Sequence, residues 1–458
     1  IVQVDGPILP NEACDGRPCR SAIGSAAGLH ECIDQWHRDE AARRTRQAQP
    51  ENRMSSQSQP KHKRMPKPAG RQAILTEQRR RKMARSPHAY VRGNTARFYE
   101  WLVETNGSAL PHGPSIWICG DCHTGNLGPV ANSEGKVDVQ IRDLDQTVIG
   151  NPVHDLIRLG LSLATAARGS ALAGLTIVHM MEAMTAGYAS AFGSRNAKLP
   201  ERPEPVHLVM KQAMRRSWRQ LAVERIEGLA PTIPLGRRFW PLSAKESRAI
   251  RKLFGDEAIA TLATSLKGRN DAGKVDVLDA AYWVKGCSSL GRLRYAVLLD
   301  IDGDVSDGDD LCLMDVKEGV TAAAPRDETA TMPRDNAERV VEGARHLSPA
   351  LGERMRAARL LDRAVVIREL LPQDLKLDID LLAEDDAREV ARYLGAVVGA
   401  AHARQMDKPT RTAWRTELGR NRAKTIDAPM WLWNSIVQLV SSHEAGYLEH
   451  CRRFAAGE

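Results

Sequence analysis

The stretch ICGDCHTGN, residues 118–126, admits two incompatible chemistries. Cys119, Cys122 and His123 form the string C-x-x-C-H, the attachment motif of a c-type haem. Asp121 and Asn126 instead place a carboxylate and a carboxamide five residues apart, a spacing that sets a base and a metal-holding amide on one loop. The haem reading uses three residues of a string that also arises by chance, and it needs export and a further axial ligand. Two packing thiols beside an acidic turn account for the cysteines more simply. The residues that the haem motif ignores therefore carry the chemical content.

Past Asn126 the chain supports that choice. NSEG, residues 132–135, is a turn signal. KVDVQIRDLD, residues 136–145, alternates apolar and polar side chains as a strand does. A hairpin is expected, with Asp143 and Asp145 delivered at the end of its second strand. NPVHDLIRLGLSLATAA then opens a helix with Asp155 in its first turn. Asp121, Asn126 and Asp143 can converge across such a hairpin, and hard oxygen donors of this kind suit Mg²⁺.

The segment CGDCHTGN, followed by VQIRDLDQTVIGNPVHDLIRL, resembles the catalytic and metal segments of the aminoglycoside and choline phosphotransferase superfamily, which shares the protein-kinase fold. That resemblance implies Asp121 as catalytic base, Asn126, Asp143 and Asp145 as metal residues with Asp143 the principal carboxylate, and Asp155 as a structural aspartate. Cys119 stands where the family has His.

A kinase fold also needs a glycine-rich hairpin over the phosphates, a strand-borne lysine and a helix glutamate that holds it. These precede the catalytic loop in ordinary kinases, but here the matching pattern lies downstream, in YWVKGCSSLGRLRYAVLLDIDGDVSDGDDLCLMDVKEG, residues 282–319. Gly286 and Gly291 are spaced as the outer glycines of G-x-G-x-x-G, with Ser288 and Ser289 between them and Ser288 in the middle glycine's place. Lys317 ends a strand. DNAERVVEGARHLSP then offers Glu338 and Glu342, one helical turn apart, and Glu342 is the preferred partner for Lys317. RAVVIRELLPQD reads as a strand running into a linker. DAREVARYLGAVVGAAHARQ reads as an amphipathic helix in which His402 is a packing residue.

The order is therefore rotated, and the expected fold is α+β, kinase-like, two-lobed and circularly permuted, a change that neighbouring termini permit. The expected parts are a basic leader at 1–70, a first part with the catalytic and metal loops plus a helical insertion at 71–275, the hairpin lobe at 276–375, and returning helices at 376–458. The succession of motifs, together with RRRKMARSPHAYVRGN upstream, resembles the bacterial family termed domain of unknown function 2252, over roughly residues 75 to 450. Arg92 in YVRGN is within reach of a phosphate or an acidic substrate on this reading, with a structural ion pair as the simpler role.

Composition bounds the remainder. The 458 residues suffice for two or three domain-sized units, and 42% hydrophobic with 27% charged residues is globular. No apolar run approaches the roughly eighteen residues of a membrane span. Eight scattered cysteines, without a secretory pattern, suit reduced thiols in a cytoplasm. Of the net charge of +8, residues 38–85 hold fifteen Lys/Arg against four Asp/Glu. Such a segment can meet nucleic acid or an acidic partner, but a solvated leader is favoured, since 41–70 has almost nothing to bury. The expected activity is an ATP- and Mg²⁺-dependent transfer to a hydroxyl of a small molecule. A protein kinase, a nucleotidyl transferase and a non-catalytic nucleotide-binding module are the alternatives.

Overall fold

The computed structural model describes residues 65–454 except 106–109, 170–171, 173, 194–198, 216–231, 266–268, 270–272, 288–289, 303–310, 372–382 and 421–427. These described residues form a mixed α/β structure of helices around small antiparallel sheets. Three helices come first: α1 (Arg71–Ala84), α2 (Pro87–Gly93) and α3 (Thr95–Glu104). Ser86 caps α2 through the Ala89 N–H, and Pro87 sits at the first position, where no N–H is needed.

The quoted stretch lies between β1 (Ile116–Ile118) and β2 (Leu127–Ala131). β2 pairs in register with β3 (Val137–Ile141), so the expected hairpin forms, and Gly135 at φ 79° turns it at the expected NSEG signal. β4 (Val148–Gly150) returns to pair with β1, which brings Asp143 and Asp145 back beside Asp121. α4 (Val153–Gly169) follows, then α5 (Gly174–Ser190) and α6 (Glu204–Arg215). The remainder of the patterned stretch beyond Arg215, through 231, lies outside the described residues.

After the short β5 (Phe239–Trp240), α7 (Ala244–Phe254) starts in a capping box. Ser243 accepts from Glu246 N–H while the Glu246 carboxylate accepts from Ser243 N–H. α8 (Glu257–Thr264) follows, then the long strands β6 (Val275–Trp283), β7 (Arg294–Ile301) and β8 (Leu311–Glu318). α9 (Asn336–Leu347), capped by Asp335, and the one-turn α10 (Pro349–Gly352) lead to β9 (Met355–Leu360) and β10 (Arg363–Glu369). The six strands form one antiparallel sheet in the order β5-β6-β7-β8-β10-β9.

Strand β7 is buried along its whole length. Tyr295, Val297, Leu299 and Ile301 face Ile250, Phe254 and Leu262 of α7 and α8, while Ala296 and Leu298 pack with Ile233, Phe239 and Trp283 on the other side. A strand covered on both faces reads as a continuous apolar run, which is what AVLL does. Arg71 of α1 is tied into this sheet region by its 2.6 Å ion pair with Glu246.

The chain closes with α11 (Glu384–Ala403), α12 (Lys408–Leu418) and α13 (Met430–Phe454). α11 lies against α5 closely enough that a Cβ on Gly395 would meet the Met184 carbonyl at 2.2 Å, and one on Gly187 would meet the Arg392 carbonyl at 2.0 Å. Glycine is required there by space rather than by dihedral angle. The largest buried cluster gathers α3, α4, α5, α9, α11 and α13 around β1 to β4. Among the described residues no helix is long and apolar enough to cross a membrane.

Candidate active site

Asp121 sits on the loop after β1. Its Oδ1 accepts from Nε of Arg158 on α4 at 2.9 Å, and Nη2 of the same guanidinium donates to the Val91 carbonyl at 2.6 Å. Burial pushes the Asp121 carboxyl up from its ordinary value, and Arg158 opposes that rise. His123, two residues on, places Nε2 at 3.9 Å from Asp121 Oδ2. Its imidazole is driven well below the usual histidine range by burial and by the nearby Arg92 and Arg158, so it is neutral at pH 7.

Asn126 folds back on the same loop, its Nδ2 donating to the Asp121 carbonyl at 3.0 Å. The amide oxygen is left as the atom available to a cation. Asp155, at the start of α4, accepts from Cys119 N at 2.7 Å and from Gly120 N at 2.9 Å, which fixes the loop's entry. Gly120 has φ 72°, and a Cβ there would lie 2.2 Å from the Gln146 carbonyl. Only glycine fits both constraints.

Behind Asp155 a buried chain continues. His402 Nε2 is 3.1 Å from Asp155 Oδ2, His402 Nδ1 is 2.8 Å from the Tyr188 hydroxyl, and Trp414 Nε1 donates to that hydroxyl at 3.2 Å. His402 is thus the expected packing residue, with a hydrogen-bonding task added. Cys119 and Cys122 are fully buried in the main core, so the C-x-x-C string serves packing.

The carboxylates after β3 meet Lys317 of β8. Lys317 Nζ is 2.5 Å from Asp145 Oδ2 and 3.2 Å from Asp143 Oδ1. Asp143 lies deep in the fold yet keeps 39% of its side-chain surface open, onto a cavity. Burial works against its charge, but Lys317, Arg368 and Arg294 outweigh it and hold the carboxyl well below the usual range. Asp145 is pushed the other way by burial and by the Asp143 charge beside it. A second pair lies alongside, with Arg294 of β7 gripping Asp315 of β8 through Nε–Oδ1 at 2.8 Å and Nη2–Oδ2 at 2.5 Å.

The expected pairing of Lys317 with a glutamate of α9 is not formed. Glu342 accepts instead from Arg345 at 3.1 Å and lies 3.2 Å from His346, on the outer face of the helix. Glu338 is exposed. The residue that α9 turns inward is Arg339, fully buried, which donates to the carbonyls of Asp145, Thr147 and Val320. The α9 helix therefore holds the backbone around Asp145, while Asp143 and Asp145 take the lysine. The 3.6-residue period put Glu338 and Glu342 on one face but left open which face points inward.

Gly286 and Gly291, at φ 84° and 93°, lie between β6 and β7 in backbone conformations that favour glycine. Ser288 and Ser289 lie outside the described residues, as does the Gly/Asp-rich connection at 303–310.

These parts border a cavity of about 340 Å³, lined by Asp121, His123, Asn126 and Asp143 on one side and by Gly286, Cys287 and Arg294 on the other. Lys82, Arg85 and Arg92 complete the lining. A Cβ on Gly125 would lie 2.6 Å from Nη2 of Arg92, so glycine lets the guanidinium rest on the loop. A smaller cavity behind it is lined by Asp143, Asp145, Lys317 and Asp315. Arg158, Arg339, Arg294, Lys82 and Arg85 were not legible as site residues, although each lies in a stretch quoted above, because the contact or cavity through which each acts is remote in sequence.

Taken together, the described residues define a mixed α/β protein in which Asp121, Asn126, Asp143 and Gly286 border one cavity, and Lys317 borders a second with Asp143 and Asp145. The chain belongs to the family described as an uncharacterized protein conserved in bacteria (DUF2252), which matches residues 71–453. No curated protein and no solved structure matches the chain.

Proposed function

We propose that this chain is an ATP- and Mg²⁺-dependent phosphotransferase with a kinase-like fold in rotated chain order. The observation that carries the reading is the meeting of Lys317 with Asp143 and Asp145, more than 170 residues apart, beside Asp121 and Asn126. The succession β6, glycine turn, β7, lysine strand β8, helix α9, β9 and β10 has the parts of a phosphate-clamping lobe in their usual order. The rotation draws support from Gln405, just past α11. Its side chain accepts from Trp117 N at 2.9 Å and donates to Trp117 O at 3.0 Å, which seats the end of α11 against the strand that enters the Asp121 loop.

The donor set fits Mg²⁺. Asp143 is ionised and open to the cavity, and Asn126 Oδ1 is a second hard oxygen; phosphate oxygens and water ordinarily complete such a site. The ion, when bound, neutralises charge on the transferring phosphate. Lys317 and Arg294 add positive charge beside it, and the backbone around Gly286 and Gly291 offers N–H groups to phosphate oxygens. Asp121 orients the acceptor hydroxyl and takes its proton as the new O–P bond forms and the bond between the γ-phosphorus and the β-phosphate oxygen breaks. ADP leaves. Arg158 holds Asp121 in place and favours its charged form against the effect of burial. Catalysis on this scheme is positioning and charge neutralisation.

The test has two stages. Mg-ATP should raise the melting temperature, with about 2.7 kcal/mol of added stability at a hundred times its dissociation constant, and EDTA should cancel most of the gain. Label in the γ-phosphate should then pass to a metabolite in a mixed pool. Transfer of α-label instead would identify a nucleotidyl transferase, and indifference to every nucleotide at millimolar levels would remove the reading altogether.

A further inference from the structure

One wall of the cavity carries positive charge that, among the described residues, no acid pairs with. Lys82 and Arg85 close α1 and its C-terminal turn, and Arg92 ends α2. They belong to the end of the basic stretch or lie just beyond it. Among the described residues neither Arg85 nor Arg92 makes an ion pair, and Arg92 Nε is buried without a hydrogen-bond partner. Lys82 gives one N–H to the Gly286 carbonyl at 2.8 Å, with Arg85 near it. The acids that border the same cavity are already engaged, Asp121 by Arg158 and Asp143 by Lys317. His123, almost wholly buried against the cavity, leaves Nδ1 without a partner. Three cations brought together beside unsatisfied polar atoms repel one another unless an anion joins them.

The wall meets the nucleotide clamp where Lys82 donates to the Gly286 carbonyl, but Arg92 is tied to the Asp121 side of the cavity. A single guanidinium, Arg158, binds Asp121 through Nε and the Val91 carbonyl through Nη2. It therefore fixes Arg92, the next residue, relative to the base that receives the acceptor. Gly125, on the base's own loop, lies beneath the Arg92 guanidinium. Lys317 and Arg294 belong to the other group of elements, β7 and β8. Two guanidinium forks and an ammonium match the geometry and charge of a phosphate dianion better than a single carboxylate.

We propose that Lys82, Arg85 and Arg92 form an anion subsite on the acceptor side of the cleft, which grips a phosphate monoester carried by the acceptor. The assignment rests on the phosphotransferase reading and narrows it: the hydroxyl compound that receives the γ-phosphate is itself a phosphorylated metabolite. The reaction that supplies it is then one that leaves a phosphate monoester beside a free hydroxyl.

Calorimetric titration of the full chain with glycerol 3-phosphate, and with glycerol, tests this with and without saturating Mg²⁺ and a non-hydrolysable ATP analogue. Glycerol 3-phosphate should bind and glycerol should not. The Arg85→Gln/Arg92→Gln variant should weaken glycerol 3-phosphate by at least about tenfold, the loss expected for charge-assisted bonds, while the analogue's affinity stays within about twofold. Arg85→Gln alone changes an exposed residue and gives the same direction should the double variant fail to fold. No binding of glycerol 3-phosphate to the native chain, or binding indifferent to both variants, overturns the subsite. A variant that instead loses the analogue assigns the wall to nucleotide phosphates and overturns the acceptor assignment. A native chain that binds glycerol 3-phosphate through Arg85 but no nucleotide keeps the anion subsite and removes the phosphotransferase reading.

Discussion

The guanidinium of Arg158 lies 2.9 Å from the carboxylate of Asp121, and both side chains are buried. The pair resolves an electrostatic conflict. Burial favours the neutral acid, whereas the base of the proposed transfer must be ionised to accept a proton, and Arg158 opposes the effect of burial. Replacing Arg158 with Met should leave an uncompensated buried carboxylate, at a cost of about 3–5 kcal/mol in chemical unfolding. The Asp121 carboxyl should also climb further, so the acid limb of the pH–rate profile should move to higher pH. Asp121→Asn should cut transfer by roughly 10²- to 10⁴-fold with nucleotide affinity retained. An acid limb that does not move in Arg158→Met would mean that another group supplies the base.

Asp315 should reveal itself through acid stability. It is almost wholly buried, and although burial opposes its charge, Arg294 and Arg368 hold its carboxyl well below 3.8, the ordinary value. A depressed folded value contributes stability that is fully present above the unfolded value. That contribution is lost as pH falls through the folded one. Asp315→Asn should therefore cost about 3–5 kcal/mol at pH 7, where it removes the buried carboxylate that Arg294 and Arg368 hold. The gap to the wild type should narrow only on acidification below 3.8. Unfolding curves at a series of pH values check this, and a gap that closes near pH 6 would point to a different group.

Asp155 is expected to act through the loop it holds. Asp155→Ala leaves the N–H groups of Cys119 and Gly120 unsatisfied, and hydrogen bonds to a charged group contribute about 1.5–3 kcal/mol each. Stability and label transfer should fall together. His402→Phe, which removes the imidazole's contacts with Asp155 and the Tyr188 hydroxyl but leaves the Cys119 and Gly120 N–H groups paired, should cost less in both. Equal losses in the two variants would place the function of this network in His402 itself.

The cysteines give a prediction that separates packing from chemistry. Cys119 and Cys122 are fully buried, so Cys122→Ser should cost about 1–3 kcal/mol by placing a hydroxyl in the core. At Cys119 the loss should be smaller, because the thiol already contacts the Asp143 carbonyl at 3.6 Å and a hydroxyl can donate there. Transfer activity per folded molecule should be unchanged. The purified protein should show no Soret band, and a haem spectrum that vanishes in the variants would restore the reading of C-x-x-C-H as an attachment motif.

Local pattern carried much of the architecture. The alternation in KVDVQIRDLD, the turn at NSEG, the apolar runs of β7 and β8 and the helices at 153–169, 336–347 and 384–403 all follow from periods of two or 3.6 residues and from turn chemistry. The clustering of Asp121, Asn126 and Asp143 was also legible, because a short hairpin can join groups so close in sequence. Which face of α9 points inward was not legible, since Glu338, Arg339 and Glu342 are all compatible with an amphipathic helix. The packing of Val340, Val341 and Ala344 in the main core decided for Arg339.

The sequence by itself thus determined the elements and the identities of the acids, because these depend on neighbours within a few residues. Tertiary structure alone decided the partners. Lys317 has two carboxylates rather than a glutamate, Asp121 has Arg158, and the end of the basic stretch lines a cavity instead of facing solvent only. A buried charge is stabilised by whichever opposite charge the completed core brings within about 3–4 Å. That distance is set by the packing of α1, α2, α4 and the six-stranded sheet, which no local pattern encodes.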